Sequence, residues 1–226
     1  LGGLADSTKS EARKTIASLA NDIHVTANAM TIANGQSLVR EIKDQAIGID
    51  GSARVAEVDG GRARLWMSTI GNWSKMDRDG ASKLKSDFYT GLIGLEADIN
   101  VSNKVGIFFG AGKTKFKGGH DGKIDSKDFH FGIYGQSNLD PVRLSYGFAY
   151  THQDRDSNRV LFYKSQGFGS SASYNAKLAQ VFGEAAYTGL NLGTVNIEPY
   201  VGLAWMHLSA DDFSDTYAGQ NVKTKF

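Results

Sequence analysis

From Arg62 onward, apolar residues recur at every second position and keep that period for most of the chain. Between Val142 and Gln153, one face carries Val142, Leu144, Tyr146, Phe148 and Tyr150, and the other carries Arg143, Ser145, Gly147, Ala149, Thr151 and Gln153. Side chains alternate faces along a strand, so this is β-structure with one apolar face and one small or polar face. Tyr89, Ile93, Leu95, Ala97 and Ile99 repeat the pattern against Thr90, Gly94, Glu96 and Asp98. Val105, Ile107, Phe109 and Ala111 do so against Gly106, Gly110 and Gly112, and Phe129, Phe131 and Ile133 against His130, Gly132, Tyr134 and Gln136. Val195, Ile197, Val201, Leu203 and Trp205 stand against Asn196, Glu198, Gly202 and Ala204. The pattern predicts seven strands, at about 62–76, 86–100, 103–116, 127–138, 141–153, 171–189 and 193–209, with a stub at Val222–Phe226 opening an eighth. Several exceed the usual strand of about 5–6 residues and reach the roughly 9–11 that cross a bilayer at a tilt.

The connections alternate in length. Val101-Ser102, Leu139-Asp140 and Leu190 to Leu192 are short; Asp77 to Lys85, Lys117 to Ser126, Asp154 to Ser170 and Ala210 to Asn221 are long. Outer-membrane barrels have short periplasmic turns and long extracellular loops. A soluble sandwich has no reason to gather every long loop at one end.

Periodicity alone does not say which face is wet. In a soluble, lipocalin-like barrel the apolar face is the core; in a membrane barrel the small and polar face lines the lumen. Three features favour the second. Trp73, Tyr89, Tyr150, Tyr187 and Trp205 lie near strand ends, as an aromatic girdle requires. The polar face is rich in Gly and Ala, which suits a crowded lumen. The loops carry most of the full charges.

Composition narrows the function classes. The 226 residues hold 25 Lys+Arg against 24 Asp+Glu, so no net basic field points to nucleic acid. With no Cys, disulfides, thiol catalysis and Cys-ligated zinc are excluded together. No run of about 18 apolar residues exists, which removes a membrane-spanning helix but not a spanning strand. His24, His120, His130, His152 and His207 fall on different segments without ligand spacing, and no G-x-S-x-G elbow or phosphate-binding loop occurs. No catalytic residue, metal site or cofactor is therefore expected.

The N-terminal part has a different period. Thr8-Lys9-Ser10-Glu11 has the form of a capping box, and Ala12, Ile16, Leu19, Ile23 and Ala27 then recur at helical spacing. Leu38, Val39, Ile42 and Ala46 continue it to Ile47, with Gly48 as C-terminal cap and Asn34-Gly35 as an interruption or kink. The apolar stripe is thin and the other faces are charged. A surface helix and a helix in a water-lined channel both fit. Residues 48–61 read as a Gly-rich linker, with a short strand at Ala53 to Val58 as the alternative. There is no initiator Met or signal peptide, so the chain is expected to start inside something longer. Seven strands and a stub do not close a barrel, and open edges leave amides unpaired in lipid. Thr224, Val222 and Gln220 alternate poorly before Phe226, which suggests a cut with further strands beyond it.

The succession of motifs resembles the β-domain of type Va autotransporters, with the pertactin-like barrel as the nearest pattern. It runs through Ala63-Arg64-Leu65-Trp66-Met67, Gly91-Leu92-Ile93-Gly94-Leu95-Glu96-Ala97-Asp98 and Val105-Gly106-Ile107-Phe108-Phe109-Gly110-Ala111-Gly112-Lys113. It continues through Phe131-Gly132-Ile133-Tyr134-Gly135, Val181-Phe182-Gly183-Glu184-Ala185-Ala186-Tyr187, Ile197-Glu198-Pro199-Tyr200-Val201-Gly202-Leu203 and Asp212-Phe213. The resemblance implies an all-β fold: an antiparallel transmembrane β-barrel with an N-terminal α-helix threading the lumen. It divides the chain into a passenger end or linker (1–8), a lumen helix (9–47), a linker (48–61) and the barrel (62–226). It implies an outer-membrane translocator that secretes and anchors an N-terminal passenger on the extracellular side. Its partners would be outer-membrane lipid, the passenger and the barrel-assembly machinery. A porin or small adhesive barrel is the alternative; a second is the β-domain of a protease or esterase whose catalytic passenger lies elsewhere.

Under this reading Glu96, Asp98, Tyr134, Arg143, Gln153, Glu184, Glu198 and Tyr200 face the lumen. They would bond and charge-pair with Arg13, Lys14, Arg40 and Lys43 of the helix. Leu144, Tyr146, Phe148, Ile107 and Ile93 would face lipid, and Arg143, Ser145, Glu96 and Gly110 the lumen. Some members of the family cut the passenger free inside the lumen through paired Asn. Here the candidates are Asn21-Asp22 and Asn34-Gly35; paired Asn is absent and no self-cleavage is expected.

Overall fold

In the computed structural model, residues 22–48, 53–58, 60, 62–76, 84–118, 122–163, 166–217 and 220–224 are described. Among the described residues one long helix, α1 (Asp22–Ile47), precedes the strands. They are β1 (Ala53–Val58), β2 (Ala63–Met76), β3 (Leu84–Asn100), β4 (Asn103–Lys117), β5 (Lys123–Leu139), β6 (Val142–Tyr163) and β7 (Gln166–Tyr187). The small pair β8 (Leu190–Leu192) and β9 (Val195–Ile197) follows, then β10 (Tyr200–Ala210) and a last hairpin, β11 (Phe213–Tyr217) with β12 (Gln220–Thr224).

Among the described residues, eight strands make one antiparallel sheet in the order β1-β2-β3-β4-β5-β6-β7-β10. Laid flat, eight strands about 4.8 Å apart would be far wider than a helix about 10 Å across. Yet α1 touches β2, β3, β4, β5, β6, β7 and β10. The sheet is therefore curled around the helix, with its small and polar face turned inward.

The alternation predicted from the sequence is the alternation of exposure. On β3 the burial pattern runs buried, exposed, buried, exposed from Phe88 to Glu96, and on β5 from Ile124 to Tyr134 apart from the half-buried Asp125. Ile93, Ile107, Phe109, Phe131, Ile133 and Tyr146 are open on the convex face, while Glu96 and Ser145 are buried on the concave one. Leu144 and Phe148 are half-buried on the convex face. Along β3 the outward run from Tyr89 to Ile99 covers eleven residues, or about 33 Å of strand over its ten steps. Tilted by about 40°, that is a band about 25 Å tall, the height of an outer-membrane barrel's apolar belt. Trp73 and Tyr89 meet edge-on at its upper border, ring centres 5.2 Å apart.

The structure revises several boundaries. The loop expected at 154–170 is instead the continuation of β6 and β7, 22 residues each, paired out to Tyr163 and Gln166. The hairpin needs only about half that length to cross the membrane, so its far half projects beyond it. The single strand expected at 193–209 is broken: Glu198 and Pro199 separate β9 from β10, and β8–β9 folds as a small hairpin where a bare turn was expected. Residues 210–221, expected as a loop, contain β11, and the expected stub pairs with β11 rather than joining the main sheet. The stretch expected as a linker contains β1, paired to β2 across an irregularity between Arg54 and Ala56.

Helix α1 runs without a break through Asn34-Gly35. At Gly35 the helix comes close to the wall. A Cβ there would lie 2.5 Å from Leu178 Cδ2 and 2.8 Å from Gln180 Oε1. The expected capping box at Thr8 and the first turns of the predicted helix lie outside the described residues. The 26 residues of α1 span about 39 Å, close to the roughly 40–45 Å of a whole bilayer.

Candidate functional site: the seat of the helix

The concave face holds α1 by two apolar patches with a polar band between and around them. Near its C-terminal end, Leu38, Val39, Ile42 and Ala46 pack on Trp66, Leu92, Phe108, Tyr134, Ala149 and Phe182. Near its N-terminal end, Ala27 and Met30 pack with Leu84, Phe116 and Ile124. The thin stripe in the sequence is therefore matched by isolated aromatics on the wall. These aromatics have room because small residues lie beside them: a Cβ on Gly106 would lie 2.3 Å from Tyr134 Cζ.

The polar contacts are specific. Lys43 Nζ lies 2.5 Å from Glu184 Oε2, an ion pair whose side chains are 24% and 10% exposed. Ser68 donates to Glu41 of the helix. Asn72 Nδ2 donates to Asn34 Oδ1 at 3.2 Å. His24 Nδ1 lies 2.8 Å from the Tyr174 hydroxyl.

The strongest grip is a buried network centred on Arg155, which is 1% exposed. Its guanidinium donates to Asn28 Oδ1 at 2.7 Å and Thr31 Oγ1 at 2.6 Å on the helix, and to Gln153 Oε1 at 2.7 Å on the wall. It also lies 5.6 Å and 5.7 Å from the ring centres of Phe116 and Tyr174. Gln153 Nε2 donates to Asp128 Oδ1 at 2.8 Å, and Ser126 and Thr114 donate to the same carboxylate. An amide thus bridges the buried cation to the buried anion. Buried charges require such complete hydrogen bonding.

A second network belongs to the wall alone. Glu96, 3% exposed, accepts from Arg64 at 2.9 Å and from the Tyr134 hydroxyl at 3.1 Å. Tyr134 in turn accepts from Trp66 Nε1 at 2.9 Å, and Arg64 reaches Asp98 at 2.7 Å.

The residues expected on the lumen wall fall into three groups. Glu184 and Gln153 meet the helix or its partners directly. Glu96, Asp98 and Tyr134 bond within the wall, Glu96 and Asp98 to the wall cation Arg64. Arg143 pairs with Glu198 at 2.6 Å beside the β8–β9 hairpin. Tyr200, at the start of β10, is 71% exposed. Of the expected helix cations, Lys43 finds a wall acid and Arg40 is exposed. Arg13 and Lys14 lie outside the described residues. Sequence reasoning missed Arg155, Asp128, Ser68 and Asn72, and on the helix Asn28, Thr31, Asn34 and Glu41. The available signal was parity: Arg155 continues the inward series of Thr151 and Gln153.

A family model described as the autotransporter β-domain matches residues 65–225. Two curated relatives from Serratia marcescens, each named an extracellular serine protease, are 26% identical over 205 residues and 24% identical over 206. They cover 90% and 91% of this chain, which spans only 20% of the length of each. Among solved structures, the translocator domain of autotransporter NalP from Neisseria meningitidis matches with a TM-score of 0.69 at 16% identity. That match covers 86% of this chain and 65% of the other, a likeness of fold.

Proposed function

The chain belongs to the autotransporter β-domain family, and on that premise we propose that the concave face is the passage of an N-terminal passenger, with α1 the stretch of polypeptide left in it. The chain is an outer-membrane translocator domain with its passenger side extracellular. The carrying observation for the passage is α1 itself. A helix too polar for lipid lies along the inner face, bonded to β2, β6 and β7 through Ser68, Asn72, Arg155 and Glu184. Its N-terminal end lies by Leu84, Phe116 and Tyr174, toward the projecting β6–β7 hairpin, the end of the wall from which a passenger would emerge. In this reading Glu184 and Gln153 grip the helix, whereas Glu96, Asp98 and Tyr134 brace the wall it rests on. A porin is disfavoured because α1 occupies the space a channel needs.

In this reading any catalysis belongs to the passenger. A serine protease is the passenger favoured by the names of the two Serratia relatives. Delivery through the barrel-assembly machinery is the family's expectation. The test is an epitope placed ahead of Leu1 in the full-length protein, probed on intact cells with added protease. Cleavage of the epitope from outside, with the barrel intact, is the expected result. An epitope reachable only after the outer membrane is opened, beside a folded barrel, overturns the proposal.

A further inference from the structure

Above the aromatic border the convex face changes character. Lys75 of β2 stands opposite Lys85 of β3, Lys85 opposite Lys117 of β4, and Lys117 opposite Lys123 of β5. Four lysines in register thus cross four neighbouring strands. Below them, Lys113 stands opposite Lys127, with Lys115 between the rows. All seven are exposed. Like charges directly opposite on a sheet repel, so the row is costly unless something anionic lies over it. The same face of these four strands offers two acids, Asp87 at 3.5 Å from Lys117 and Asp125 at 2.5 Å from Lys123. Among the described residues of these four strands they leave most of the positive charge uncompensated. Asp154 and Asp156 of β6, opposite Lys127 and Asp125, bound the patch on one side.

The surface below the lysines is as distinctive as the row. A groove of about 720 Å³ is lined by Tyr89, Ala111, Lys113, Lys115 and Lys117. It shares Thr69, Gly91 and Ala111 with a second groove of about 790 Å³ lined by Met67, Ile93 and Phe109. Small residues in register (Thr69, Gly91 and Ala111) make the depression that joins them. A cationic head site thus continues into an apolar trough that faces hydrocarbon.

We propose that this face binds a phosphorylated, acylated saccharide lipid of the outer leaflet, its phosphates on the row Lys75–Lys85–Lys117–Lys123 and an acyl chain in the trough. The row lies above Trp73 and Tyr89, where headgroups begin. It spans three inter-strand steps, about 14 Å, enough for more than one phosphate. Ammonium groups on long stems reach such phosphates while their methylenes lie on the apolar border. A nucleic acid or soluble phosphate would make no use of the trough. The inference rests on the membrane placement of the sheet and is independent of what passes through its lumen.

The test uses the full-length protein purified from its membrane in mild detergent, with bound lipid counted by native mass spectrometry. Three probes are added separately: a bis-phosphorylated acylated glucosamine disaccharide, its dephosphorylated form, and phosphatidylglycerol. Retention of the first is expected to exceed that of either other probe at least tenfold. The K75Q/K85Q/K117Q/K123Q variant should lose that excess, and the matching Lys→Arg variant should keep it. Heat-modifiable gel migration checks that each variant is folded. If the Gln variant does not fold, salt decides on the unaltered protein: retention should fall steeply from about 0.05 to 0.5 M, as screening of exposed charges requires. Equal retention of the dephosphorylated lipid, unchanged binding in the folded Gln variant, or salt-insensitive binding overturns the proposal. So does equal retention of phosphatidylglycerol, which indicates undirected attraction, or displacement by inorganic phosphate, which indicates a soluble-anion site.

Discussion

Replacing Arg155 by Met tests whether the buried network holds the helix. Met keeps much of the apolar stem and removes the cation. The substitution deletes two charge-assisted bonds to the helix, to Asn28 at 2.7 Å and Thr31 at 2.6 Å. Each such bond contributes about 1.5–3 kcal/mol. Part of that is offset, because a buried guanidinium no longer has to be desolvated. Against the offset, Asp128 loses the cation that Gln153 relays to it. A net loss of about 2–3 kcal/mol in helix docking follows, a factor of roughly 30 to 150 in the docked-to-undocked ratio. The chain contains no Cys, so one introduced thiol reports alone. Met30→Cys places it at a position 1% exposed, under the helix. Labelling by a water-soluble thiol reagent should speed up by that factor when Arg155→Met is added. Arg40→Met, at an exposed helix position, should leave the labelling rate unchanged. Equal acceleration by both substitutions, or by neither, would refute the assignment of the grip to Arg155.

Ile107→Arg, near mid-height on the convex face, should destabilise the barrel in lipid vesicles by about 2–4 kcal/mol in urea unfolding, against a small effect for Ser145→Ala on the concave face; equal effects would mean the faces are exchanged. Gly35→Leu should push α1 off Leu178 and Gln180, raising protease cleavage of the helix while gel migration of the barrel stays folded; an unchanged cleavage pattern would contradict the close approach. No chain break is expected at Asn34-Gly35. The peptide is held in a continuous helix, and among the described residues no carboxylate accepts from Asn34 Nδ2 to orient it. An intact-mass spectrum showing a fragment that begins at Gly35, and is lost on Asn34→Ala, would refute this.

Much of the sheet was legible because bilayer and lumen impose opposite demands on successive residues. β3, β4 and β5 have such residues along their length, and their predicted bounds are close to those found. The signal fades where those demands end. Beyond Gln153 the two faces of β6 and β7 no longer differ between apolar and polar, yet the ladder continues to Tyr163 and Gln166. A paired backbone needs no apolar face, so a hairpin standing in water looks like a loop. The β8–β9 hairpin is too short for a period to show, and its turn rests on Gly193 at φ +67°. β1 was obscured by the glycines and small residues flanking it, and by the irregularity in its pairing. In the lumen, parity alone placed Glu96, Tyr134 and Gln153 on the inner face, and Glu184 with them. It did not say that Arg64 would be the partner of Glu96, nor that uncharged Asn28 and Thr31 would receive Arg155. Those pairings join segments distant in the chain, and one sequence carries no record of which distant groups meet.

The span of those pairings sets an order of events. The helix is local and forms from neighbours in the chain, but its partners lie far downstream. Lys43 and Glu184 are 141 positions apart, Asn28 and Arg155 127, and His24 and Tyr174 150. Closing such distances is entropically costly until the intervening strands have been laid side by side. The latch on α1 therefore closes late, after β6 and β7 have joined the sheet. The wiring of the wall thus makes the arrival of β6 and β7 the step that seats the helix.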